Sequence, residues 1–190
     1  TGASVAAGFH SMCNGANLCY SRKAFYDVNG FRDVEHIASG DDLLLMHKLY
    51  RQYPAEVHYC KAQETIVQTN AVETIREFFR QRIRWASKAG HYQDKRIVGV
   101  LLLVYLVNCY LLALLVAGFF HYELWMLLTG CLLLKTIAEL WFLLPVAAFF
   151  QKESLLVWFP LLQPFHLVYT VVAGWLGTFG TYEWKGRSVR

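Results

Sequence analysis

The chain has 190 residues, 56% of them hydrophobic, and a formal net charge of +4, with a mean hydropathy of +0.30. The apolar excess lies from about residue 97 onward, which excludes a disordered chain and an ordinary, wholly soluble domain. The positive charge gathers just before that stretch, at Arg76, Arg80, Arg82, Arg84, Lys88, Lys95 and Arg96; this fits the cytoplasmic flank of a membrane segment and anionic lipid, and makes nucleic acid a poor partner.

The chain begins at Thr1 with no Met and no signal-peptide pattern, and we read it as a portion of a longer protein. Residues 1–96 read as a mixed-polarity globular half, 97–180 as a membrane region and 181–190 as a basic tail. Asn14-Gly15-Ala16-Asn17 reads as a turn or close-approach loop. Residues 18–20 then read as a short strand. Ser21 caps a short helix that Gly30 terminates. A loop through His36 leads to Ser39-Gly40-Asp41-Asp42, and the apolar spacing from Leu43 predicts a helix to Tyr53, stopped by Pro54. Asp41 and Asp42 fall in its first turn, where the helix dipole favours negative charge. Residues 55–60 and 64–69 read as two further strands.

Asn70 followed by Glu73 has the form of a capping box and predicts an amphipathic helix over about 70–90. Ile75, Phe78, Phe79, Ile83 and Ala86 give one apolar face. Glu77, Gln81, Arg84, Trp85 and Lys88 give another, so helical spacing sets Gln81, Arg84 and Trp85 on one side. Three apolar stretches follow, at 97–120, 123–150 and 155–180. The first carries no charge and is long enough to span a bilayer core. The second holds Lys135 and Glu139, spaced to pair on one helix face. Such a pair ties helices together, lines a saccharide path or binds a lipid head group. Pro160 and Pro164 predict a break or re-entry in the third. Three full spans from a cytoplasmic Arg76–Arg96 cluster would leave Lys185, Arg187 and Arg190 outside, against the positive-inside tendency.

Cys13, Cys19, Cys60, Cys109 and Cys131 form no C-x-x-C and no metal-ligand spacing, as expected of reduced thiols in a cytoplasmic or membrane setting. The seven histidines share no spacing and read as structural or solvated.

Asn14-Gly15-Ala16-Asn17-Leu18 with Arg22-Lys23-Ala24-Phe25, then Gly40-Asp41-Asp42, then Gln81-x-x-Arg84-Trp85 ahead of apolar helices, resembles the membrane-bound family 2 glycosyltransferases. These include cellulose, chitin and hyaluronan synthases, and the closing Tyr182-Glu183-Trp184-Lys185-Gly186-Arg187 is similar to a bacterial branch. The resemblance implies the C-terminal half of an α/β GT-A-type domain followed by an all-α transmembrane region. It implies inverting transfer of a sugar from a nucleotide-sugar donor to a saccharide or lipid-linked acceptor. The setting would be a multi-pass protein of the inner or plasma membrane, with the catalytic part on the cytoplasmic face and in contact with membrane lipids.

In that scheme Asp42 is the general base that takes the acceptor hydroxyl proton, and Asp41 supports it. Both also fit helix-start carboxylates satisfied by backbone N–H groups. Arg84 suits the leaving pyrophosphate, because its planar fork binds phosphate oxygens directionally. Trp85 offers a flat face to the acceptor sugar, or packs as an interfacial indole. Gln81 would hydrogen-bond one turn away. Gly15, Ala16 and Asn17 correspond to the loop beneath the sugar. The family's divalent metal (Mg or Mn) is expected through an Asp-x-Asp that does not occur in this chain, so the metal ligands in this portion are none and the portion alone is expected to be inactive. The rival readings are a non-catalytic membrane anchor or partner subunit with a vestigial transferase domain, and a small transporter built around Lys135–Glu139.

Overall fold

The computed structural model describes residues 1–34, 40–92, 94–184 and 187–189. The loop at His36 and Ser39 and the tail positions Lys185, Gly186 and Arg190 lie outside the described residues. The elements in chain order are α1 (Gly2–Ala6), α2 (Arg22–Asp27), α3 (Asp41–Gln52), α4 (Ile75–Ala86), α5 (Lys95–Gly118), α6 (Leu124–Phe149), α7 (Gln163–Phe179) and the paired strands β1 (Tyr182–Trp184) and β2 (Arg187–Val189). Short 3-10 turns lie at Gly15–Asn17, Gln63–Thr65, Ser87–His91 and Glu153–Trp158. The chain forms two compact units, Thr1–Val72 with Trp184–Val189, and Glu73–Glu183.

In the first unit, α2 starts where the Ser21 hydroxyl accepts from the Ala24 N–H at 3.1 Å, as the sequence predicts. It stops where Asn29 and Gly30 turn to φ 56° and 52°. A Cβ at Gly30 would lie 2.5 Å from the Phe25 ring, so both the backbone angle and the space demand glycine. α3 buries Leu43, Leu44, Leu45, Met46 and Leu49. Leu45 is fully buried and packs with Val28, Leu49, Ala24 and Phe25. Lys48 Nζ donates to the carbonyls of Gly30 (2.7 Å) and Arg32 (3.0 Å), fixing α3 to the turn behind α2.

The expected α/β GT-A architecture is not what this chain forms. Among the described residues, 1–96 contain no strand, and the only strands are the three-residue pair β1–β2 after α7. Leu18 (φ −124°, ψ 122°) and Ile66 (φ −69°, ψ 116°) do have extended backbones. An extended segment becomes a strand only when a neighbour completes its ladder, and residues 18–20, 55–60 and 64–69 have none among the described residues. Residues 54–56 form a turn, and Gln63–Thr65 tightens into a 3-10 turn in which the Thr65 hydroxyl donates to the Ala62 carbonyl at 2.8 Å.

In the second unit, α4 is capped by Thr74, whose hydroxyl accepts from the Glu77 N–H at 3.1 Å. The sequence holds two successive cap registers, Asn70…Glu73 and Thr74…Glu77, and the later one is used. α4 lies on α7 through Phe78, whose ring sits 5.6 Å from that of Phe165 and 5.0 Å from that of Tyr169, and through Phe79 against Phe165 at 6.4 Å. Leu111 and Leu114 of α5, Leu128 of α6 and Leu167 of α7 form the core beyond. α5 and α6 are long and apolar enough to cross a membrane. Both leave large apolar side chains exposed, Leu103 and Leu134 among them. The third apolar stretch is broken as its prolines predict: a 3-10 turn ends before Pro160, and α7 starts at Gln163 with Pro164 in its first turn.

Candidate active site

Asp42 stands in the first turn of α3, half-buried, with Asp41 exposed beside it. Its two oxygens face two backbone donors: Oδ1 accepts from the Leu43 N–H and Oδ2 from the Gly15 N–H, each at 2.8 Å. The second bond joins residues far apart in sequence and brings the Gly15 loop onto the carboxylate. A Cβ at Gly15 would lie 3.2 Å from both Cβ and Oδ2 of Asp42, so the absence of a side chain sets how closely the loop approaches. The loop is pinned on both sides of Gly15. Asn14 Oδ1 accepts from the Ala16 N–H at 3.1 Å, and Asn17 Nδ2 donates to the Thr65 carbonyl at 2.7 Å. Ala16 and Asn17 remain exposed. Burial pushes the neighbouring Cys13 thiol up to about 11, and the Asp42 carboxylate adds to the shift by repelling the thiolate.

Asp42 thus has the local bonding of a helix-start carboxylate. It keeps a further lone pair on each oxygen, since a carboxylate oxygen accepts two bonds. The two N–H groups fix its plane without saturating it.

Gln81, Arg84 and Trp85 belong to the other unit, on the C-terminal half of α4. Gln81 and Arg84 are half-buried, and Trp85 is 42% exposed. The Arg84 carbonyl accepts from the Ser87 hydroxyl at 2.9 Å, where α4 tightens into its 3-10 end. Trp85 is not a bare platform. The Arg82 guanidinium carbon lies 4.5 Å from the centre of its ring, 4.7 Å from that of Phe78 and 5.9 Å from that of Tyr169. The motif passes over Arg82, yet Phe78, Arg82 and Trp85 follow i, i+4, i+7 spacing, which marks a shared helix face.

The Lys135–Glu139 pair forms as its spacing predicts, and it has partners on α7. Lys135 Nζ donates to Glu139 Oε2 (2.8 Å) and Gln163 Oε1 (2.8 Å) and stands 3.5 Å from His166 Nδ1. Gln163 Nε2 donates to Glu139 Oε2 at 2.6 Å. The network closes on itself and joins α6 to the start of α7, so tying helices together is the role its geometry fits.

Among the described residues, no three His, Cys, Asp or Glu side chains converge as ligands, and both oxygens of Asp42 face N–H groups.

A family model described as glycosyl transferase family group 2 matches residues 3–179. Comparisons with curated proteins and with solved structures gave no match. The match spans both units, from the Gly15 loop and Asp42 through Gln81, Arg84 and Trp85 to the last turn of α7, and by it the chain belongs to the family 2 glycosyltransferases.

Proposed function

We propose that this chain serves the inverting transfer of a sugar from a nucleotide-sugar donor to a saccharide or lipid-linked acceptor at the cytoplasmic face of a membrane. Membership of a glycosyltransferase family over residues 3–179 carries the reading. Two helices long and apolar enough to span a bilayer support the membrane setting.

In this reading Asp42 takes the proton of the attacking hydroxyl. The attack on the anomeric carbon passes through an oxocarbenium-like state, and a positioned base contributes about 10²–10⁴-fold to such a step. The Gly15 N–H holds the carboxylate in one plane, and the small residues Gly15 and Ala16 leave room for a sugar over the loop. Asn17 holds the loop's far end and Asp41 keeps a second carboxylate at the rim. Arg84 meets the charge that develops on the leaving pyrophosphate. Gln81 assists it one turn away, and Trp85 stacks on the acceptor with the face that Arg82 leaves open. We assign no metal ligand to these residues.

The Asp42→Asn substitution tests the base in the full-length membrane protein. Sugar transfer is expected to fall at least about 10²-fold, with binding of the nucleotide-sugar nearly unchanged. The substitution keeps an oxygen for one N–H, so the loop should hold. Unchanged turnover would remove Asp42 from the chemistry. Absence of sugar transfer by the wild-type full-length protein would instead favour the anchor or partner-subunit reading, which the backbone bonding of both Asp42 oxygens also accommodates.

A further inference from the structure

Arg82 has an unusual setting for a cation. Its Nε is buried without a hydrogen-bond partner. Among the described residues its guanidinium has no ion-pair partner, only the faces of Phe78, Trp85 and Tyr169. Aromatic faces steady a guanidinium but do not neutralise it, and a half-buried charge is costly until something does.

The groups that follow on α7 and α6 do not offset that charge. The Tyr169 ring that Arg82 overlies packs 5.1 Å from the His166 ring, and His166 Nδ1 stands 3.5 Å from Lys135 Nζ. Among the described residues Glu139 is the one carboxylate bonded into this row, and Lys135 and Gln163 already occupy its Oε2. The row therefore carries a cation more than it has anions, with Arg82 at the uncompensated end.

We propose that Arg82 is a binding site for the phosphate of an anionic phospholipid headgroup. A stacked guanidinium presents its fork in a fixed plane, the geometry that selects phosphate oxygens over a diffuse negative field. α4 packs on α7 and α7 on α5, and α5 and α6 expose the apolar surface along which acyl chains would lie. Arg82 and Arg84 are two residues apart, so they point to different sides of α4. The site is thus separate from the leaving-group contact assigned to Arg84 and does not rest on the transferase reading.

The test uses the full-length protein in nanodiscs of phosphatidylcholine, alone or mixed with phosphatidylglycerol. Lipid retained after transfer to detergent is counted by native mass spectrometry. Wild type is expected to keep phosphatidylglycerol selectively. Arg82→Gln should weaken retention about tenfold, the loss of a charge-assisted hydrogen bond. Arg76→Gln, which removes an exposed cation from the same helix, should change nothing. Arg82→Lys keeps stem and charge, so it reports even if Arg82→Gln fails to fold, and losing the fork should lower retention severalfold. Wild-type retention in either Arg82 variant overturns the proposal. So do equal losses from Arg76→Gln and Arg82→Gln, which mean general surface charge. Inorganic phosphate added to the phosphatidylcholine discs is the last arm: Arg82-dependent phosphate binding without phosphatidylglycerol enrichment assigns the site to a soluble phosphate and overturns the lipid assignment.

Discussion

Cys13 reports on Asp42 without touching substrate. The thiolate is the form that alkylates, and a thiol at about 11 is ionised to about one part in a thousand at pH 8. Two causes raise it, burial first and the Asp42 charge second, while a backbone bond at Asn14 works the other way. Peptide mapping after a timed pulse of iodoacetamide should find Cys13 slow at pH 8, with a rate that climbs about tenfold per pH unit until near 11. Asp42→Asn removes the repulsive charge but leaves the burial. Cys13 should then alkylate faster at fixed pH, with its rate curve shifted to lower pH and still above that of an ordinary thiol. An unchanged curve would mean that the carboxylate does not face the thiol. The same substitution read by sugar transfer probes catalysis, so the two measurements separate where Asp42 stands from what it does.

Among the elements, the close packing of α7 on the end of α4 is set by one glycine. A Cβ at Gly177 would fall 2.6 Å from Ala86 Cβ, 2.8 Å from the Ile83 carbonyl oxygen and 2.9 Å from the Ser87 nitrogen. Two of those atoms are backbone and cannot rotate away, so Gly177→Ala must push the helices apart, at about 1–3 kcal/mol. Gly99 in α5 has open space where its Cβ would go, so Gly99→Ala gains helix propensity of up to about 1 kcal/mol with no clash. Thermal unfolding in detergent should rank Gly177→Ala below wild type and Gly99→Ala at or above it; equal midpoints for the two variants would refute the close contact. The sequence makes the helices legible because caps and apolar spacing are local: Ser21 before α2, Asp41 and Asp42 opening α3, and the uncharged run of α5 are all signals within a few residues. The expected strands fail for the opposite reason. A strand-like reading of 55–60 and 64–69 says only that a chain could pair, and pairing depends on a neighbour that no local pattern names. The site divides the same way. Asp42 and Trp85 are visible as motif residues, and the stacking of Arg82 on Phe78 and Trp85 follows from helical spacing, whereas the Gly15–Asp42 bond and the Tyr169 face beside Arg82 depend on tertiary approach.

On the scale of the whole molecule, each unit carries its own core, and in the second the polar network of Lys135, Glu139 and Gln163 lies among helices that expose large apolar side chains. Lys135 has only 10% of its side chain exposed and Gln163 is 3% exposed, while Glu139 keeps 34%. The network connects α6 to α7 across the break at Pro160, so it fixes the start of α7 against α6. Charges among apolar helices are tolerated when paired, and removing one partner is worse than removing both. Lys135→Met leaves the Glu139 charge with only the Gln163 amide. It should lower stability by up to about 3 kcal/mol, less than for a fully buried pair because Glu139 reaches solvent. Adding Glu139→Gln to that variant removes the stranded charge and keeps an acceptor for Gln163 Nε2, so the double variant should recover part of the loss. Thermal midpoints in one detergent at one pH measure the order: wild type first, the double variant second, Lys135→Met last. If the double variant is the least stable, the ionic character of the pair itself is what holds α6 to α7. If all three agree, the network is not what orients α7.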